Sequence, residues 1–341
     1  MSGQKRQISR KRLMKVPIES NNILIVGFGK IGKIKANKWL DRGYSVYVKD
    51  VNFFDLMLLN KGINVADDIS RKYFTIEICT PTKQHAIVFK NIIKKYVFSY
   101  IIIEKPLCNT LEELEVFTSI IKKQPYLEEK IFVSEQYFYS TILDIFAKNR
   151  CFSLNGIDKI YIEFSKNRLE DNAKGRFLDE EILGYGIELP HILAILRYLG
   201  IPLDEFANGI FENNIYIKDL ENHDYSIEIL SKVRKMLIQI NSNLGSLSIK
   251  DGKLRNRKNE TIRIARIDDT ILIFDPHPKL ERYKSELING TNKIQISDDM
   301  IDNQITLLEE NRVPRGCDII SAIKITKVLL GLYSDCNRIY V

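Results

Sequence analysis

The sequence predicts an α/β protein in two parts: a doubly wound parallel sheet, then an α/β domain with a large, mostly antiparallel open sheet. Three observations carry this. Short runs that are apolar on both faces alternate with helical stretches over residues 21–142. A glycine-rich turn, Gly27-Phe28-Gly29-Lys30-Ile31-Gly32, directly follows the first of these runs. From residue 143 to 341 the pattern shifts to longer strands at hairpin-like spacing, closed by two helical patterns. With 341 residues the chain is long enough for two domains.

Residues 1–20 read as a tail. Lys5, Arg6, Arg10, Lys11, Arg12 and Lys15 stand there with no acid among residues 1–15, so most of the net charge of +7 is local to this segment. A solvated, disordered leader is the plain reading, and an arm for an anionic partner is the sharper one. The tail lacks the interleaved aromatics of a nucleic-acid arm and the apolar core of a secretory signal. No apolar run approaches the roughly 18 residues of a membrane span. The five cysteines are scattered, with no CxxC pair, which argues against a disulfide framework or a zinc site. The expectation is a cytoplasmic protein with no metal, no nucleic-acid partner and no membrane contact.

The first part runs "NILIVGF", "YSVYVKD", "FTIEICT", "FSYIIIEK" and "KIFVSEQ" as parallel strands. Between the first two, Ile31, Ile34, Trp39 and Leu40 recur at helical spacing and Gly43 ends the helix. The second part runs "IDKIYIEFSK", "YSIEILSK", "KMLIQINSN", "TIRIARID" and "TILIFDP" as strands. The helical pattern "ELPHILAILRYLG" comes early in it. "MIDNQITLLEE" and "DIISAIKITKVLLGLYS" are its closing helices, the last packing back on the body.

The glycine turn carries a specific chemistry. Gly27 permits the tight exit from the strand, Gly29 lets backbone approach a pyrophosphate, and Gly32 lets helix and strand pack closely. The bordering residues Phe28, Lys30 and Ile31 offer amide groups at the positive end of the helix. Asp50 ends the next strand eighteen residues after Gly32, near the separation of about 20 seen when an acid binds the adenosine ribose. A carboxylate there favours NAD over NADP, although the neighbouring Lys49 pulls the other way. The first part is therefore a Rossmann domain for a dinucleotide.

Three further stretches follow in order: "CTPTKQH" (79–85), "IEKPL" (103–107) and "GYGIELPHILAILRYLG" (184–200). Together with the glycine turn they resemble the Gfo/Idh/MocA family, named for glucose–fructose oxidoreductase and inositol dehydrogenase. The resemblance spans nearly all the chain past residue 20. It implies NAD(P)-dependent hydride transfer at a carbinol carbon of a sugar or cyclitol, and a homodimer or homotetramer joined through the open sheet. It places Thr80 and Pro81 along the nicotinamide ribose and His85 at the start of the next helix. Glu104 belongs to the same cofactor edge, Lys105 hydrogen-bonds the reacting oxygen, and the bond before Pro106 is often cis. His191 is the companion acid–base group. A first-turn structural histidine is the competing reading for His85, and a buried core histidine for His191.

The chain departs from the family pattern around His191. Ile187 and Ala194 stand where aspartates are usual. Glu188 is the replacement partner expected for His191, and the catalytic set is Lys105, His191 and Glu188. "SEQYFYS" lacks the usual Asn and Arg; Glu135 and Tyr137 stand there instead, so substrate contacts differ, and Tyr137 joins Lys105 and His191 as a substrate contact. The loop "SKNRLEDNAKGRF" brings Lys166, Asn167, Arg168, Lys174 and Arg176. Arg176 is the expected clamp for a phosphate or carboxylate on the substrate, the alternative being a solvated loop. The altered pattern leaves two other functions open: reduction of a C=N or C=C bond in a biosynthetic pathway, and a dinucleotide sensor without turnover.

Overall fold

The computed structural model describes residues 20–51, 62–66, 71–149, 154–168, 182–211, 215–219, 225–245, 247–250, 253–256, 261–312, 316–334 and 337–340. The basic tail before residue 20, Lys174 and Arg176 lie outside the described residues.

The first sheet has six strands: β1 (Asn22–Val26), β2 (Ser45–Lys49), β3 (Ile63–Val65), β4 (Lys72–Ile78), β5 (Val97–Ile103) and β6 (Ile131–Val133). All pair in parallel, in the order β3-β2-β1-β4-β5-β6. This is the predicted doubly wound topology. The order reverses between β1 and β4, and ligands of such sheets bind in the crevice at that point. Ile23, Leu24, Ile25 and Ile101, Ile102, Ile103 are wholly buried, because helices cover both faces.

Three helices pack here: α1 (Lys30–Asp41), α2 (His85–Lys95) and α3 (Leu111–Lys123). The start of α3 is capped by Thr110, which accepts the Glu113 N–H, while Glu113 accepts the Asn109 N–H. In α1 the buried stripe is Gly32, Lys35, Ala36 and Trp39. Ile31 and Ile34, read from sequence as core positions, are only half-buried. Gly32 faces the backbone of Gly27 with no room for a side chain between them.

The second sheet has nine strands, in the order β16-β15-β14-β13-β7-β10-β9-β8-β17. They are β7 (Lys159–Ser165), β8 (Ile215–Asp219), β9 (Tyr225–Val233), β10 (Met236–Asn243), β13 (Ile262–Ile267), β14 (Thr270–Ile273), β15 (Lys284–Asn289), β16 (Asn292–Ser297) and β17 (Asn337–Tyr340). β11 (Leu247–Lys250) and β12 (Lys253–Asn256) form a separate hairpin. The pairing is antiparallel except for β7 with β10 and β8 with β17. Alternation sorts the faces: Ile160, Ile162, Phe164, Ile238, Ile240 and Ala265 are buried. Lys159, Leu237 and Arg266 on the opposite face are exposed, and Tyr161, Glu163 and Gln239 half-buried.

Helices α4 (Thr141–Asn149), α5 (Leu189–Tyr198), α6 (Leu203–Phe211), α7 (Met300–Glu309) and α8 (Ile319–Ser334) complete the described fold. α8 packs on α5 and α6 and also reaches α3 and β6 of the first sheet. On the other side, Lys38 and Arg42 of α1 pair with Asp299 and Asp302 at 2.6 and 2.9 Å. Among the described residues no helix is long and apolar enough to cross a membrane.

Candidate active site

The turns that follow β1, β4, β5 and β6 meet at the carboxyl edge of the first sheet. Gly27 has φ +92, and a Cβ there would lie 2.7 Å from the backbone of Cys79 and Thr80. A Cβ on Gly32 would lie 2.1 Å from the Gly27 carbonyl oxygen. The fold itself therefore requires both glycines. Gly29 differs, because nothing lies within 4 Å of its missing Cβ. Its space opens outward over the first turn of α1, which has no side-chain cap and no acid. Phe28 is buried beneath, while Gly29 and Lys30 are exposed.

Asp50 Oδ2 accepts the Phe28 N–H, so the carboxylate borders the loop as the spacing predicted. The Thr80 hydroxyl is buried and has no hydrogen-bond partner among the described residues. An open cradle over Gly29, uncapped helix amides, a bordering carboxylate and an orphaned hydroxyl fit a nicotinamide dinucleotide. Pro81 is exposed beside Thr80.

Two residues assigned to the cofactor from sequence sit elsewhere. His85 is 1% exposed. Its Nε2 lies 2.9 Å from the Thr80 carbonyl, and its Nδ1 lies 3.1 and 3.2 Å from the carbonyls of Pro106 and Leu107. It ties the two turns together from behind, with both ring nitrogens engaged by backbone. Burial pulls its pKa below the ordinary histidine value, against the pull of those carbonyls. Glu104 turns its carboxylate to Lys35, at 2.7 Å, rather than to the open cradle.

Lys35 is 0% exposed and also meets Glu77 at 2.8 Å and the Ser134 hydroxyl at 3.0 Å. Trp39 Nε1 donates to the other oxygen of Glu77 at 3.0 Å. Burial opposes the Lys35 charge, but Glu104 and Glu77 outweigh it and raise its pKa.

Lys105 follows β5, and its peptide bond to Pro106 is cis. Its Nζ donates to the carbonyl of Ile187, just before α5. Burial lowers its pKa from the lysine value, against the attraction of Glu188 and Glu135. His191, in the first turn of α5, is 5% exposed. Pro190 precedes it at a position that needs no helix-internal N–H donor.

The partner of His191 is not Glu188. Its Nδ1 lies 3.2 Å from Glu135 Oε2, on the turn after β6. Glu188 is taken instead by Arg263 of β13, whose Nη2 lies 3.2 and 3.3 Å from its two oxygens. Nη1 of the same arginine donates to the Tyr137 hydroxyl at 3.1 Å. Tyr137, expected to touch substrate, is 0% exposed and packs edge-on to His191, with ring centroids 5.1 Å apart. Its ring backs the histidine, and its hydroxyl is spent on Arg263.

The cluster thus holds two cations, Lys105 and Arg263, two carboxyl groups, Glu135 and Glu188, and an imidazole. Burial pushes Glu135 up to about 8, against Lys105 and with Glu104. Burial also holds His191 well below the ordinary histidine value, and the charges of Lys105 and Arg263 lower it further.

Sequence reasoning missed Arg263 and Lys35, and it placed Glu135 in the substrate region without pairing it to His191. Arg263 shares its strand face with Ala265 and Ile267, so an arginine there signals a buried partner. Lys35 sits between Gly32 and Trp39 on the buried stripe of α1, an equally visible anomaly. The described residues contain no group of side chains arranged to hold a metal.

No protein-family model matches the chain, and no curated protein sequence matches it. Solved structures do. The myo-inositol 2-dehydrogenase of Lactobacillus plantarum superposes with a TM-score of 0.65 at 12% identity, over 91% of this chain and 95% of that one. The UDP-N-acetylglucosamine 3-dehydrogenase of Acidithiobacillus ferrooxidans gives 0.62 at 12% identity, over 92% and 97%. A 3-ketoreductase from Actinomadura kijaniata, solved with TDP-benzene and NADP, gives 0.62 at 10% identity, over 94% and 99%. The chain has the two-part fold of these oxidoreductases over nearly its whole length.

Proposed function

We propose that the protein is a nicotinamide-dinucleotide-dependent oxidoreductase acting on a CH–OH group, or the matching carbonyl, of a sugar or cyclitol. The observation that carries this is a juxtaposition. The open phosphate cradle over Gly29 shares the carboxyl edge of one sheet with Lys105, and His191 and Glu135 lie in the same buried cluster. Bound on that cradle, a nicotinamide dinucleotide supplies or receives the hydride. Gly27, Phe28, Gly29, Lys30, Ile31 and Gly32 would hold its diphosphate, Asp50 its ribose, and Thr80 and Pro81 its nicotinamide half. Lys105 places an ammonium where negative charge develops on the reacting oxygen, and His191 handles the proton.

By their names, one dehydrogenase of like fold acts on myo-inositol and the other on UDP-N-acetylglucosamine, while the ketoreductase holds TDP-benzene and NADP. Their names support a polyol or sugar substrate; that it is phosphorylated or nucleotide-linked, and that the reaction belongs to specialised biosynthesis, is part of the proposal. NAD is the preferred cofactor on the strength of Asp50. Glu135 restores a carboxyl group to His191, which weakens the imine-reductase and sensor readings. Both drew on its absence at 187 and 194. The bare face of the second sheet, around Leu237 and Arg266, is proposed as the surface that joins a homodimer or homotetramer in the cytoplasm.

The test is direct. NADH binding is measured by fluorescence, and a panel of inositols, hexoses and nucleotide sugars is followed at the reduced-nicotinamide absorbance band. Lys105→Ala and His191→Asn should each lower kcat by about 10²–10⁴-fold. NADH affinity should stay within about threefold, a spread of less than 1 kcal/mol. Unchanged turnover in both variants removes the assignment.

A further inference from the structure

We propose that Glu135 and His191 form a two-membered proton relay in which the imidazole changes tautomer and never becomes a cation. This rests on the reading of the site as a carbonyl–carbinol oxidoreductase. It goes beyond that reading in naming the proton's source.

The argument starts from charge. His191 shares its buried cluster with the Lys105 ammonium and the Arg263 guanidinium, and both disfavour an imidazolium there. A histidine so placed cannot simply take up a proton and keep it. It can pass one on if Nδ1 faces a group able to give or take a proton, and Nδ1 lies 3.2 Å from Glu135 Oε2. Glu188, the other nearby carboxyl, cannot serve because Arg263 engages both of its oxygens.

Glu135 is suited to the task. It is 3% exposed. Lys105 and Glu104 face it from the end of β5, His191 from α5, and Tyr137 follows on its own turn. Arg263 and Glu188 form the next layer. The small cavity that Glu135 helps to line is otherwise walled by residues such as Leu107, Val133, Ile325 and Leu329, none of them ionisable. Burial raises its affinity for a proton into the range in which enzymes work, to a midpoint of about 8.

In the reducing direction the Nε2–H bond breaks and an O–H bond forms on the substrate oxygen. At the same moment the Glu135 O–H bond breaks and Nδ1–H forms. The hydride comes from a reduced nicotinamide dinucleotide. The end state is an ionised Glu135 accepting Nδ1–H from a neutral imidazole. Oxidation runs the same bonds backward. Each step moves one proton at each nitrogen, so no net charge accumulates on the ring. The apparent midpoint belongs to the pair and not to either member.

The test begins with the protein free of cofactor. Nitrogen-15 spectra of labelled histidine distinguish bare from protonated ring nitrogens. The chain has four histidines, and the His191 signals are those lost in His191→Asn. Expected is a neutral ring throughout pH 5.5–9 that switches from Nε2–H to Nδ1–H with a midpoint near 8. Glu135→Gln should abolish the switch, lower kcat by about 10²-fold or more and leave KM within about threefold. Glu135→Asp should retain a switch. A wild-type His191 that becomes imidazolium, or a switch unchanged in Glu135→Gln, overturns the relay, and the first needs no variant to fold. Turnover without a switch overturns the relay alone. A switch without turnover on any carbinol or carbonyl overturns the dehydrogenase reading and leaves the relay standing.

Discussion

Replacing Lys35 by methionine tests the buried charge network directly. The side chain is wholly buried, within 2.7 Å of Glu104, 2.8 Å of Glu77 and 3.0 Å of the Ser134 hydroxyl. Methionine fills similar space but strands the Glu77 carboxylate, which is 1% exposed. Removing one partner of a buried ion pair costs about 3–5 kcal/mol, because the remaining charge loses both water and its counter-ion. At roughly 3 °C per kcal/mol for a domain of this size, Tm should fall by about 10 °C. Two controls separate charge from packing. The triple variant Lys35→Met, Glu77→Gln, Glu104→Gln should recover most of the loss, since no charge is then stranded. The deficit of the single variant should also narrow in acid, where the stranded carboxylates take up protons. In the wild type the raised affinity of Lys35 for its proton means the contribution is complete at neutral pH. It is lost only as pH rises through that raised value. Thermal melts by circular dichroism between pH 5 and 8 read all three. A single variant that melts within 2 °C of wild type at every pH would show that the network contributes nothing to stability.

Gly29→Ala and Gly32→Ala should separate ligand from fold. The first meets open space, so the melt should be unchanged while calorimetric NADH affinity drops by about tenfold or more, roughly 1.4 kcal/mol. The second drives a Cβ to 2.1 Å from the Gly27 carbonyl oxygen, so both fold stability and binding should suffer. Asp50→Ser should narrow an NADH preference expected to be at least about tenfold; equal affinity for both dinucleotides in the wild type removes Asp50 from the specificity argument. Glu135 binds its proton more tightly folded than unfolded, so its stabilisation is full below about pH 4 and fades as pH rises through about 8. Unfolding free energies of Glu135→Gln should therefore gain on wild type from pH 5 to 8, and a constant gap contradicts the assignment. His191 acts in the opposite sense, since its lowered affinity makes its contribution present above about pH 6.5 and lost in acid.

The first sheet was legible because its signals are local. Apolar runs with no alternation mean strands covered on both faces, and a glycine turn ending in an acid after the next strand has few other uses. The second sheet was harder. β15 and β16 carry Lys284, Glu286, Lys293 and Gln295, and β16 is mostly exposed, so their polar edge hides the strand pattern. β8 and β17 are short and pair with each other across more than a hundred residues, which no window of sequence reports. The site divided in the same way. Lys105 and His191 are read from motifs fixed by chain order. The sequence offers Glu188, three residues before His191, as its partner, at a spacing that can be counted along the chain. Glu135 arrives from fifty-six residues upstream, and only the meeting of two sheets brings it there.

That relocation changes what holds His191 and its carboxyl partner together. A carboxylate on the same helix as its histidine stays in register however the rest of the protein moves. Here Lys105 and Glu135 hang from the first sheet, and His191 and Arg263 from the second part of the fold. Lys105 reaches across to the Ile187 carbonyl, and Glu135 reaches across to Nδ1. Both contacts lie at the same seam, so a shift of one sheet against the other by an ångström weakens them together. α8 bridges the seam on one side by packing on β6, α5 and α6, and the Lys38 and Arg42 ion pairs close it on the other. Ser134, adjacent to Glu135, is in turn held by Lys35, which sits one turn along the helix that begins at the phosphate cradle. The glycine turn, the buried network around Lys35 and the Glu135–His191 contact therefore adjoin one another along the chain and across the seam.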